Sequence, residues 1–210
     1  MKITLLGDSI RLQYESRVAE LLGESFEVYG PSENCRFAKY TLRGLFDWEK
    51  KMRGSRIVHW NNGLWDICDL FGDGLFSSEE EYLSNMIRIA DILLSRYDKV
   101  IFATMTPVTE RNKYNKNSDI ERYNALAVEE LSKKGVIIND LYSLVAADID
   151  RYISSDEIHL SEEGKELCAR QVAKVILDAS ADITEVMEAY GVAEEAAGAP
   201  VIFEDQGEKI

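Results

Sequence analysis

Transfer of an acyl group at neutral pH needs a nucleophile, a base within hydrogen-bond reach of it, a group that orients the base, and donors for the oxyanion. The chain of 210 residues contains two histidines, so the choice of base is narrow. His59 falls inside an apolar run at residues 56–60 that reads as a strand, where neighbours hold an imidazole away from solvent. His159 stands in a polar loop, residues 154–159, with Asp156 three residues before it. In a turn, that spacing brings the carboxylate to Nδ1 and leaves Nε2 for a partner. Alone, such an Asp-x-x-His segment is as readily a simple surface turn. The matching nucleophile is Ser9, in Gly7-Asp8-Ser9, directly after an apolar run of Ile3, Leu5 and Leu6. From Ile10 the apolar period becomes helical through Tyr14, Val18, Leu21 and Leu22, with Gly23 as a stop. Ser9 is thus expected at a helix N-terminus, where unpaired backbone N–H groups can hold a negative oxygen. Asp and Ser are also ordinary capping residues, so this stretch needs support from elsewhere in the chain.

Asn61 and Asn62 follow the strand at 56–60 and offer side-chain amides to an oxyanion. Strand alternation sends them in opposite directions, so only one is expected to face Ser9. Trp60, Trp65, Phe71 and Phe76 surround the loop after that strand and could line an acyl slot or stack on a sugar, or simply pack the loop down. Arg36, Arg111 and Lys113 stand in loops at the same expected edge, as solvated charges or as holders of an anionic substrate group.

Five short strands, near residues 2–6, 26–29, 56–60, 99–104 and 136–140, alternate with helical segments. That order implies an α/β protein whose parallel sheet is built from right-handed βαβ units, with helices on both faces. Among the helices, one opens at Ser77 with Glu80 as capping-box partner, one spans 119–134, one spans 141–153, and the last starts at Ser161. Ser9, Asn61 and the residues 154–159 all fall at strand carboxyl ends, where open α/β sheets place ligands. One domain is expected over residues 1–180. Residues 181–210 read as an acidic, partly ordered C-terminal appendage, with a short helix at 183–190 and one apolar patch, Val201-Ile202-Phe203.

A net charge of −14 opposes binding to nucleic acid or to an anionic membrane. No run reaches the roughly 18 apolar residues of a membrane span. No leader pattern heads the sequence, and a cytoplasmic location is expected. Cys35, Cys68 and Cys168 lack CxxC spacing, so neither a disulfide framework nor a zinc site is expected. The first loop has no phosphate-cradling GxGxxG or GxxxxGKS, which speaks against a nucleotide-binding module.

Gly7-Asp8-Ser9 after the first strand, an asparagine after the third, and Asp156-x-x-His159 before the last helix resemble the SGNH (GDSL-type) ester hydrolases. The resemblance covers roughly residues 1–180, in that family's order. It implies a flavodoxin-like three-layer α/β/α sandwich with a five-stranded parallel sheet, and ester hydrolysis with no metal and no cofactor. Ser9 would be the nucleophile, His159 the base and then the acid, and Asp156 the orienting carboxylate. Asn62 and the N–H of Ser9 would form the oxyanion hole if Trp60 takes the place of the family's glycine; Asn61 is the alternative. The family's other oxyanion glycine, after the second strand, has no counterpart beyond Gly30, so Glu33 or Asn34 would supply that backbone N–H. The expected partner is a small-molecule ester of short acyl chain, acetyl esters of carbohydrates included. The same residues would serve an acyltransferase. A non-catalytic small-molecule binding module on this fold is a further alternative, and homo-oligomerisation is left open.

Overall fold

A computed structural model describes residues 1–190. Apolar runs form the centre of the sheet: β1 (Lys2–Leu6), β3 (Ser55–Trp60) and β4 (Lys99–Ala103) are almost wholly buried. The shorter β2 (Glu27–Tyr29) and β5 (Ile137–Asn139) close its two edges. The order is β2-β1-β3-β4-β5, and every pairing is parallel. Helices α1 (Ser9–Leu22), α2 (Ala38–Met52), α3 (Glu79–Leu94), α4 (Asn117–Lys133), α5 (Leu141–Ala146), α6 (Ile149–Tyr152) and α7 (Glu162–Tyr190) make the crossovers and the outer layers. α1 packs on α7, while α2, α3 and α4 pack in sequence, so the sheet is covered on both sides. This is the expected α/β/α sandwich.

Three local readings change. The long helix begins one residue later than expected: Ser78 caps α3 by accepting the N–H of Glu81. Ser77 is diverted, because its hydroxyl and its N–H both donate to Asp66. The helix expected over 141–153 is two short ones, because Asp148 is extended and its carbonyl starts a new turn by accepting from Arg151 and Tyr152. The segment 183–190 is no separate helix but the end of α7, which crosses residue 181 unbroken, with Ile183 buried and Asp182 paired to Lys99. Residues 191–210, with the Val201-Ile202-Phe203 patch, lie outside the described residues.

Asp66 joins the loop after β3 to the start of α2. Phe37, the N-cap residue of α2, makes no capping bond, and Asp66 supplies one from 28 residues away by accepting the Ala38 N–H at 3.0 Å. Burial pushes the Asp66 carboxyl up to about 6 from 3.8, against the pull of its hydrogen bonds to Ala38 and Ser77. The folded chain therefore holds this proton more tightly than the unfolded one. The stability that the protonated group contributes is complete below about pH 3.8 and is lost as pH rises through about 6. Asp66→Asn keeps an acceptor for Ala38 without the charge. The wild type should thus lose roughly 3 kcal/mol relative to this variant between pH 4 and pH 8, measured by urea unfolding of both proteins across that range.

Candidate active site

Ser9 is the first residue of α1. The carboxylate before it, Asp8, is the N-cap and accepts the Ile10 N–H at 3.0 Å. The first turn of the helix leaves the Ser9 N–H without an intrahelical acceptor. The Ser9 hydroxyl lies 2.8 Å from His159 Nε2, across 150 residues of sequence. His159 Nδ1 lies 2.8 Å from Asp156 Oδ2. The other carboxylate oxygen accepts the backbone N–H of His159, the N–H of Ile158 and the hydroxyl of Ser154. Burial works against the charge on Asp156, but these bonds outweigh it and hold the carboxyl well below its ordinary range. Asp156 therefore stays ionised over the pH range in which an imidazole changes charge.

The loop that carries this pair is closed tightly. Ile153 and Leu160 form an antiparallel bridge, and Ser154 N–H donates to the His159 carbonyl. Gln13 on α1 accepts the Leu160 N–H at 2.9 Å, which fixes the loop to the helix that begins at Ser9. Farther along the same two helices, Arg17 pairs with Glu166. The loop is held from its other side through Glu157, a left-handed residue (φ 75°) whose carbonyl accepts from Thr109 N–H and from the Asn112 amide.

The two asparagines part as strand alternation requires. Asn61 turns to the first loop, where its Nδ2 donates to Asp8 Oδ1 at 2.9 Å, one residue from Ser9. Asn62 turns to the second loop, where its Nδ2 donates to the Arg36 carbonyl at 2.9 Å. Asn61 Oδ1 lies against Gly7, and a Cβ there would overlap it and come within 2.7 Å of Arg11 Cβ. Asp8 is fully buried, and burial raises its carboxyl even though Asn61, Ile10 and Arg11 oppose the shift.

The second loop is tied to the first. Cys35 N–H donates to the Gly7 carbonyl, and the buried guanidinium of Arg11 donates to the carbonyls of Gly7 and Glu33 while pairing with Glu15. The Glu33 carboxylate accepts from the Tyr40 hydroxyl and from Trp48 Nε1, and Asn34 Oδ1 accepts the Arg36 N–H. The left-handed residue of this loop is Arg36 (φ 49°), rather than Glu33 or Asn34.

His59 is buried between layers, with Asn139 Nδ2 donating to its Nε2 at 3.1 Å; burial pushes its imidazole down to about 3. Trp60 is also fully buried, packed against Phe102 at a tilt of 52°, and has no access to a substrate. Trp65, Phe71 and Phe76 remain exposed, at 39%, 79% and 45%. Arg111 pairs with Glu157. Burial pushes the Cys35 thiol up to about 11 and the Cys168 thiol to about 12, so neither is a ready nucleophile. Among the described residues no cluster of three His, Cys, Asp or Glu side chains could hold a metal ion, and no helix is long and apolar enough to cross a membrane. Asp8, Arg11 and Asp66 carry much of this scaffold, yet only Asp8 stood out in the sequence, as a turn residue.

No family model and no curated protein matches this sequence. Solved structures do match. A GDSL-like lipase from Bacteroides thetaiotaomicron aligns with a TM-score of 0.68 at 16% identity, over 85% of this chain and 88% of its own. A member of the lipolytic G-D-S-L family from Veillonella parvula gives 0.68 at 17%, over 83% and 97%. A variant of an acetylxylan esterase from Geobacillus stearothermophilus gives 0.68 at 13%, over 82% and 92%. The chain has the fold of the GDSL-type hydrolases.

Gly7→Ala should destabilise the protein by about 1–3 kcal/mol, because Asn61 and Arg11 must both move. Chemical denaturation of the variant beside the wild type measures this.

Proposed function

We propose that the protein is a serine ester hydrolase. One observation carries the proposal: a hydroxyl, an imidazole and a carboxylate stand in line, 2.8 Å apart at each step. Ser9 attacks the ester carbonyl while its proton passes to His159 Nε2. Asp156 holds the imidazole by Nδ1–H and stabilises the imidazolium that forms. The carbonyl oxygen, now an oxyanion, takes hydrogen bonds from the Ser9 N–H and from an asparagine amide. Asn61 is the stronger candidate, since its amide meets the turn that carries Ser9, whereas Asn62 is turned to the Arg36 carbonyl. Backbone N–H groups of Glu33 or Asn34 are the candidates for a third donor. His159 returns the proton to the departing alcohol, and water repeats the sequence on the acyl-enzyme.

The acyl group is short, and an O-acetylated carbohydrate is a fitting substrate. Support comes from the loops at the sheet's carboxyl edge, which mix exposed aromatic rings with polar groups and, among the described residues, carry no long apolar lid. The acetylxylan esterase of the same fold agrees with this reading.

Ser9→Ala should abolish hydrolysis of 4-nitrophenyl acetate and labelling by a fluorophosphonate, with circular dichroism unchanged; persistent turnover by that variant would refute the nucleophile. Asp156→Asn should lower kcat by roughly 10²–10⁴-fold. Asn61→Ala should cost about 10²–10³ in kcat, and a larger loss in Asn62→Ala would reverse the choice between them. Among acetyl, butyryl and octanoyl esters, the octanoyl ester should be the poorest substrate.

A further inference from the structure

We propose that Arg11 is a positioning residue for the reaction. It draws the Glu33 carbonyl inward, and so turns the N–H of Asn34, rather than that of Glu33, to the open edge beside Ser9. The inference rests on the ester-hydrolase reading of that edge and names both the second-loop donor and the side chain that aims it.

Arg11 follows Ser9 by two residues in α1, yet its side chain is wholly enclosed. Nη1 meets Glu15, one turn farther along the helix. Nη2 donates to the Glu33 carbonyl at 2.8 Å and, more loosely, to the Gly7 carbonyl at 3.4 Å. Nε is buried without a partner. An enclosed cation with an unpaired donor is costly, and an apolar side chain of similar volume would serve the core as well.

The space for this pair is left by two glycines, each just beyond a strand. A Cβ on Gly7 would come within 2.7 Å of Arg11 Cβ, and a Cβ on Gly30 would overlap the Glu15 carboxylate. The guanidinium is thus seated at the junction of the first two loops, where packing alone calls for no charge. Its effect there follows from the peptide it holds.

In a planar trans peptide, the carbonyl of one residue and the N–H of the next point in opposite directions. The Glu33 carbonyl points in to the enclosed Arg11, so the Asn34 N–H points out. Among the described residues no acceptor takes that N–H. Its neighbours are occupied: the Cys35 N–H donates to the Gly7 carbonyl, the Cys35 carbonyl accepts the Thr41 hydroxyl, and the Arg36 N–H donates to Asn34 Oδ1. Because Cys35 is bonded to the residue two before Ser9, the free N–H of Asn34 stands at the edge that Ser9 faces. The Glu33 N–H belongs to the preceding peptide, which Arg11 does not hold. A donor aimed before substrate arrives needs no reorganisation when the oxyanion forms.

The test is a double-mutant cycle read by hydrolysis of 4-nitrophenyl acetate. Asn34→Pro, which removes the N–H, should lower kcat by roughly 10²–10³-fold, whereas Asn34→Ala, which keeps it, should lose far less. Arg11→Met should lower kcat by roughly 10–100-fold with KM nearly unchanged, because the weakened bond is made only in the transition state. Arg11→Lys should recover part of that loss, and it replaces Arg11→Met in the cycle if the latter does not fold by circular dichroism. If Arg11 acts through the Asn34 N–H, the double variant should be no slower than Asn34→Pro alone. Losses that multiply in the double variant would make Arg11 merely structural and overturn the proposal. So would an unchanged kcat in a folded Arg11 variant, or equal losses in Asn34→Ala and Asn34→Pro; each of these leaves the hydrolase reading standing. A wild type without Ser9-dependent hydrolysis overturns both.

Discussion

The packing of α1 against α7 is the constraint on which the rest of the molecule depends. One helix begins at Ser9, and the other begins two residues beyond Leu160, so the two groups that must meet are separated by 150 residues of sequence. Nothing local brings them together. The meeting is fixed by Gln13 bonding the backbone just after His159, by Arg17 pairing with Glu166 one level farther on, and by buried apolar side chains of both helices. A 2.8 Å hydrogen bond tolerates little play. The surrounding loop is accordingly closed by its own short bridge before it reaches α7.

A second tier of buried polar groups aligns the remaining loops. Arg11 is fully enclosed, and its Nη1 and Nη2 groups reach Glu15 and the carbonyls of Gly7 and Glu33, tying the first and second loops to one helix. Asp8 does the same for the third loop through Asn61. Asp66 fastens the continuation of that loop to the head of α2. Each of these groups is desolvated and hydrogen-bonded to backbone or amide, although Asp8 Oδ2 and Arg11 Nε are buried without a partner. The reactive edge is thus built largely on interior polar contacts, and the surface ion pairs of α3 and α4 contribute little to it.

Much of the frame was legible in the sequence because its signals are local. Apolar runs marked β1, β3 and β4, and the switch to helical period at Ile10 placed Ser9 at a helix start. The edge strands β2 and β5 proved shorter than the runs suggested, since only three residues of each pair with a neighbour. What stayed illegible depends on distant partners. Ser77 looked like a cap and was claimed by Asp66, eleven residues away. The split between Asn61 and Asn62 could be foreseen from alternation, but their direction could not, because it is set by Asp8 on one side and by the Arg36 carbonyl on the other. The left-handed position of the second loop fell on Arg36, a residue type that gives no hint of such a backbone.

The burial of His59 leaves the molecule with a built-in reporter. Of its two imidazoles, one is sealed between the sheet and α1 and α7 and pushed down to about 3, so it stays neutral and unreactive across the working range of most enzymes. His159 is the imidazole that reaches solvent, so any histidine acylated by a water-soluble reagent in the native protein is His159. Chemical modification of the unaltered chain can therefore watch one side chain without labels or substitutions.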